Sequence, residues 1–306
     1  MLSIVDFLTV HTFRTMLIGC TLIGALAGSM GAFIYLRKRT LMSDVIGHSA
    51  TTGVMLAFLV GAGILGIDGR SLWILVVGSV LVGTLASVCA DAIAHSTRVG
   101  IDAAMAIMLA LFFGTGMVLL RIIERSSIVG RGGLKDYFFG NASLLTIGDV
   151  QTIAVLTVVV GGVAAIASKP LAAHVFDPIT AEVAGFRSRI ISPLLLVLVS
   201  VAVVVGVKSV GLILMVALAA IPPAAARQWT KHLRTMVALS AGIGAVGAVL
   251  GSYLSVAIGK IPTGPVIVLV LTAIFAISLL FAPGRSVLVR RHGRRRTRRT
   301  LMEAVS

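Results

Sequence analysis

Along the chain, runs of apolar residues alternate with short clusters of charge, glycine and proline. The runs at 13–36, 45–65, 72–90, 103–123, 150–167, 191–207, 211–226, 236–258 and 265–281 approach or exceed the roughly 20 residues a helix needs to cross a hydrocarbon core. They predict an all-α, polytopic bundle of about nine spanning helices. Eight is the alternative, because the join at Val207-Lys208-Ser209 is short and the last two runs have Gly- and Pro-rich ends that suit a re-entrant segment.

Composition supports a membrane solvent. Hydrophobic residues make up 58% of the 306 and charged residues 12%, too many apolar runs for one soluble core to absorb. The 33 glycines fit the same class, because small residues let membrane helices approach closely. Cys20 and Cys89 both fall in apolar runs and read as isolated thiols rather than a disulfide or thiolate metal site. Acidic Asp6 precedes the first run and no clear small-residue cleavage site follows, so the N-terminal segment reads as retained.

Lys and Arg outnumber Asp and Glu by 26 to 11, a formal net charge of +15. Much of the excess lies at helix ends and in the tail from Arg285 to Arg299, so anionic lipid headgroups explain it and a nucleic-acid partner is not needed. The basic clusters Arg37-Lys38-Arg39, Arg98, Lys169 with Arg187 and Arg189, Arg227 with Lys231 and Arg234, and the tail alternate with poorer loops holding Arg14, Arg70, Arg121 to Lys135, Lys208 and Lys260. The richer set belongs in the cytoplasm, which puts the N-terminus outside and the C-terminus inside. The resulting division is an extracytoplasmic segment at 1–12, a membrane domain at 13–283 containing a cytoplasmic stretch at 171–190, and a basic, low-complexity tail at 284–306.

Two loops have patterns of their own. Aromatics sit beside charges at 135–141, as in a short amphipathic interfacial segment. In the cytoplasmic stretch, Asp177 is placed to cap a helix that Pro178 begins and Gly185 ends, with Ala181 and Glu182 inside it. That short helix is either a connector or a docking element for a cytoplasmic partner.

Ionisable residues are scarce inside the runs, and charge in hydrocarbon is costly unless it faces protein or water. Asp44 and His48 are the leading pair. Their spacing of four places carboxylate and imidazole on one helical face, and oxygen plus nitrogen suits Mn(II), Fe(II) or Zn(II). Two side chains do not fill a coordination shell, so water, another helix or a second subunit would supply the rest. The alternative is structural, with Asp44 capping the helix and His48 donating to a carbonyl. Asp91 and His95 repeat the spacing, with Asp102 nearby, and read instead as capping or as ion pairing with Arg98. His11, His174, His232 and His292 fall in termini or loops without clear partners. Pro222-Pro223 is placed to kink or break a helix, a gating point or a packing kink. The chain lacks a phosphate-binding loop, an H-E-x-x-H zinc motif and a G-x-S-x-G elbow, so ATP hydrolysis is not expected of it.

The order and spacing of several fragments resemble the permease subunits of ABC transporters that import manganese, zinc or iron. The fragments run from Tyr35 through Arg37-Lys38-Arg39, Asp44, His48 and Gly53, to Ile101-Asp102-Ala103-Ala104 with Gly114 and Gly116, Phe139-Gly140-Asn141, and Asp177-Pro178 with Ala181 and Gly185. They continue through Val207, Gly211-Leu212-Ile213-Leu214, Ile221-Pro222, Ala224 to Arg227, and Pro262-Thr263-Gly264-Pro265. The likeness covers nearly everything but the tails. It implies a type II importer-like permease without an ATPase site of its own, paired with a second copy or a paralogue. Two cytoplasmic ABC ATPase subunits hydrolyse the ATP, and an extracytoplasmic metal-binding protein delivers the transported divalent ion; no permanent cofactor is implied. By motif, Asp44 and His48 resemble residues in the metal path, and the stretch from Asp177 to Gly185 resembles the coupling helix. The departures are Gly47 and Pro223, each where another small residue is more usual, and a long arginine tail. An ATPase-independent metal transporter and a non-transport scaffold are the rival readings.

Overall fold

The computed structural model describes residues 10–39, 41–64, 72–126, 145–259 and 261–282. Among them every regular element is helical: α1 (His11–Leu36), α2 (Met42–Phe58) with a π-helical continuation at Leu59–Ile64, α3 (Leu72–Ser96), α4 (Ile101–Arg125), α5 (Ile147–Ile166), α6 (Ser168–Phe176), α7 (Pro178–Val183), α8 (Ser188–Val210), α9 (Leu212–Trp229), α10 (Leu233–Ile258) and α11 (Thr263–Phe281). Nine of these are long and apolar enough to cross a membrane, so the nine-span expectation holds. Arg70, Lys260, the 135–141 segment and the arginine tail lie outside the described residues.

Helix α1 is the hub, packed against α10, α9, α5 and α8, while α2 packs between α3 and α4. Two thirds of the α1 span is buried in protein, against 17% for α5 and 22% for α11, which places those two at the periphery. Their outward faces are apolar, with Val158 and Leu269 exposed. Such a surface suits lipid tails, which need no polar rim.

Small residues set the closest helix contacts. A methyl group added to Gly24 would overlap the Gly244 carbonyl of α10, and one added to Gly28 would overlap the Ser240 carbonyl. The same holds for Gly31 against the Ala219 carbonyl of α9. Pro223, lacking an N–H, leaves the Ala219 carbonyl four residues earlier without its helical donor, and that carbonyl faces α1.

Several boundaries differ from the sequence reading. The α8–α9 break falls at Gly211, whose φ of 88° suits glycine, and not at Lys208-Ser209, which remain helical. Helix α9 continues past both Pro222 and Pro223 to Trp229, so the proline pair does not break it. Helix α5 starts earlier than its apolar run, because Thr146 and Asp149 form a reciprocal capping box. The stretch expected as loop before Asp177 is a helix, α6, and His174 lies on it, 3% exposed.

Candidate functional site

The site is built on the first two turns of α2. Leu41 is the N-cap residue and no side chain caps this end. Asp44 stands in the first turn, where the partial positive charge of the helix end favours a carboxylate. His48 lies one turn on, with its Nε2 3.6 Å from Asp44 Oδ1. That separation is beyond hydrogen-bonding range, yet two ligands about 2.0 to 2.2 Å from one ion can span it. Their side chains keep 32% and 23% of their surface, so both stay reachable in an otherwise packed region. Asp44 does not cap α2, and the buried His48 Nδ1 has no hydrogen-bond partner among the described residues.

Four helices brace this turn. Gly47, between the pair, faces α8 and α9: a methyl group there would stand 2.5 Å from Leu212 Cδ1 and 3.5 Å from Val207 Cγ2. Ile46 packs beside Gly83 of α3. From α4, the Phe113 ring meets the His48 imidazole in a T-shaped contact, with centroids 4.8 Å apart and planes at 82°. Phe113 carried no signal in the sequence, since its place opposite His48 depends on how α4 docks.

Among the described residues no group of three or more His, Cys, Asp or Glu side chains comes together for a metal. Asp44 and His48 thus offer two ligands. At the other repeat of the spacing, Asp91 is ion-paired with Arg39 and not with Arg98. His95 Nδ1 lies 2.7 Å from the Asp91 carbonyl oxygen, a local contact on an exposed helix end.

The short helix α7 has the expected capping chemistry. Asp177 Oδ1 accepts from the N–H groups of Ile179 and Thr180, and Pro178 occupies the first turn. Hydrogen bonds from the Thr180 hydroxyl and N–H hold the Asp177 carboxyl below its usual pKa. At the far end Gly185, at φ 88°, donates to the Glu182 carbonyl while the Phe186 N–H donates to the Ala181 carbonyl, a Schellman closure. Ala181 is 1% exposed and anchors the helix, whereas Ile179 and Val183 are 77% and 86% exposed. Burial, then the neighbouring Arg37, lowers the pKa of His174 just upstream, with Glu182 opposing and Arg39 adding to the effect. Neither His174 ring nitrogen has a hydrogen-bond partner among the described residues.

Residues 9–282 match the ABC 3 transport family. The zinc transport system membrane protein TroC of Treponema pallidum is 36% identical over 94% of this chain and 94% of that protein. The manganese import system permease protein ScaB of Streptococcus gordonii is 31% identical over 92% and 95% of the two chains. Among solved structures, PsaBC from Streptococcus pneumoniae in complex with Fab has a chain that superposes with a TM-score of 0.80 at 29% identity, over 94% of this chain and 100% of that one. A match spanning all nine apolar helices, with relatives similar from end to end, leads to one conclusion: this chain belongs to the ABC 3 transport family.

Proposed function

We propose that the chain is the membrane permease subunit of an ATP-driven transporter that brings divalent transition metal ions, manganese, zinc or iron, into the cell. The observation carrying this reading is the Asp44–His48 pair: an oxygen and a nitrogen ligand 3.6 Å apart on one face of α2, uncapped and partly exposed. Transport needs such an incomplete shell, because a site that binds a cation too tightly fails to release it. The remaining ligands come from water or from a second permease, either a copy of this chain or a paralogue.

The two metals named for TroC and ScaB leave the cargo within one class, and a carboxylate with an imidazole accepts all three ions. The extracytoplasmic binding protein that hands over the ion then selects among them. ATP is hydrolysed by two partner ATPase subunits. Their contact is α7, held by Asp177, Pro178, Glu182 and Gly185 at its ends and anchored by Ala181, with Ile179 and Val183 presented outward. The end of the bundle carrying Arg37–Arg39 and α7 faces the cytoplasm. Closure of the ATPases rocks the bundle through α7, and Pro222 and Pro223, beside the α1–α9 contact, give the helix its point of flexure.

The direct test replaces both ligands. An Asp44→Ala, His48→Ala permease should assemble with its ATPase partners and insert normally while metal uptake is abolished. Wild-type uptake by the assembled double variant would overturn the assignment.

A further inference from the structure

Among the described residues, no carboxylate or carbonyl supports the His48 imidazole at Nδ1. A metal-binding imidazole ordinarily donates its second nitrogen to a carboxylate, carbonyl or water, which fixes its orientation. Here Nδ1 is buried and finds no hydrogen-bond partner among the described residues, while Nε2 faces Asp44 Oδ1 at 3.6 Å. The Phe113 ring of α4 lies against the imidazole at a centroid distance of 4.8 Å. Helix α4 is pinned to α2 within a turn of that contact. The Thr52 hydroxyl donates to the carbonyl of Phe112, and Gly116 lets α4 approach so closely that a methyl group there would stand 2.7 Å from Thr52 Oγ1.

Resting on the reading of Asp44 and His48 as the ion's ligands, we propose that Phe113 is a positioning residue of the metal path: its ring, held by the Thr52–Phe112 clasp, orients His48 in place of a hydrogen bond. An aromatic contact is weaker and less directional than a carboxylate–imidazole bond. It favours the productive ring orientation without making the imidazole a stronger ligand, which suits an ion that is bound briefly and passed on. Phe113 also brings no donor or acceptor to Nδ1, so the ring is steered without being protonated or deprotonated by its neighbour.

The experiment is a Co(II) titration of the whole transporter, permease with its ATPase and partner permease, followed by the visible absorption of the bound ion. It compares wild type with Phe113→Leu, Phe113→Met, Phe113→Tyr and His48→Ala. Leu and Met keep apolar bulk and lose the ring, while Tyr keeps it; only complexes that retain basal ATP hydrolysis are compared. Loss of the ring should weaken Co(II) binding by roughly three- to tenfold, the range of one aromatic pair, and alter the absorption band, with Tyr restoring both. Binding and spectra unchanged in Leu and Met, in a complex whose binding is lost with His48→Ala, would overturn the role of Phe113 alone. Unchanged binding in His48→Ala would overturn the ligand assignment and this proposal together.

Discussion

Arg39 donates from Nη1 to Asp91 Oδ1, so the turn joining α1 to α2 is fastened to α3 across 52 residues of sequence. The two side chains are only 17% and 21% exposed, which makes the pair more than a surface decoration. Removing one partner strands the other's charge. Asp91→Ala or Arg39→Ala should each cost about 1 to 3 kcal/mol, and the double variant less than the sum. Thermal unfolding in detergent checks it; strict additivity would mean the pair contributes nothing. Because the turn leads within five residues to Asp44, uptake should fall in the single variants as well.

The docking face of α7 is separable from its anchor. Ile179→Asp with Val183→Asp puts charge on residues already in solvent, so folding should survive while the ATPase no longer co-purifies. Ala181→Leu, by contrast, overfills a buried position and should destabilise the helix by about 1 to 3 kcal/mol. Retention of the ATPase by the double aspartate variant, measured by pull-down from membranes, would remove α7 as its contact.

Glycines of similar appearance should respond differently. At Gly31 an added methyl meets the backbone carbonyl of Ala219, which side-chain rotation cannot relieve, and Gly31→Ala should cost at least about 1 to 3 kcal/mol. At Gly47 the obstacle is Leu212 Cδ1, the end of a flexible side chain, so Gly47→Ala should cost less than about 1 kcal/mol. Unfolding midpoints that rank the two the other way would refute the packing argument.

His174 gives the cytoplasmic end a pH dependence. Burial and Arg37 lower its pKa in the folded protein, so below the ordinary value near 6.5 the unfolded segment binds a proton that the folded one resists. The stability of α6 is therefore fully present above about pH 6.5 and declines as the pH falls through the depressed folded value. The protection factors of the α6 and α7 amides, their exchange rates divided into the intrinsic base-catalysed rates at each pH, should fall between pH 7.5 and 5.5. His174→Phe should flatten that response; an equal response in the variant would assign it to another group.

The sequence was legible where structure is local. Apolar runs located nine helices because each must span by itself, and Asp177, Pro178 and Gly185 announced both ends of α7 because capping is decided within a few residues. Asp44 and His48 share a face by helical spacing alone. What could not be read depends on how helices dock. The Arg39–Asp91 pair joins the α1–α2 turn to α3, and Arg98 was the nearer cation in sequence. His174 looked like a loop residue because α6 is too short to show an apolar stripe, and its burial comes from its neighbours. Pro222-Pro223 was placed either to kink or to break a helix; α9 continues through the pair, and the Ala219 carbonyl faces the closely approaching Gly31.

The central claim is metal import through Asp44 and His48, and ATP-dependent uptake into sealed vesicles tests it most directly. The vesicles hold this permease with its partner permease and ATPase, the binding protein is supplied on the extracytoplasmic face, and Mn(II), Zn(II) and Fe(II) are offered in parallel under reducing conditions. The account predicts accumulation of at least one of these ions that requires ATP and disappears with Asp44→Ala, His48→Ala. Uptake that proceeds without the ATPase, or an intact assembly that accumulates none of the three, would contradict it.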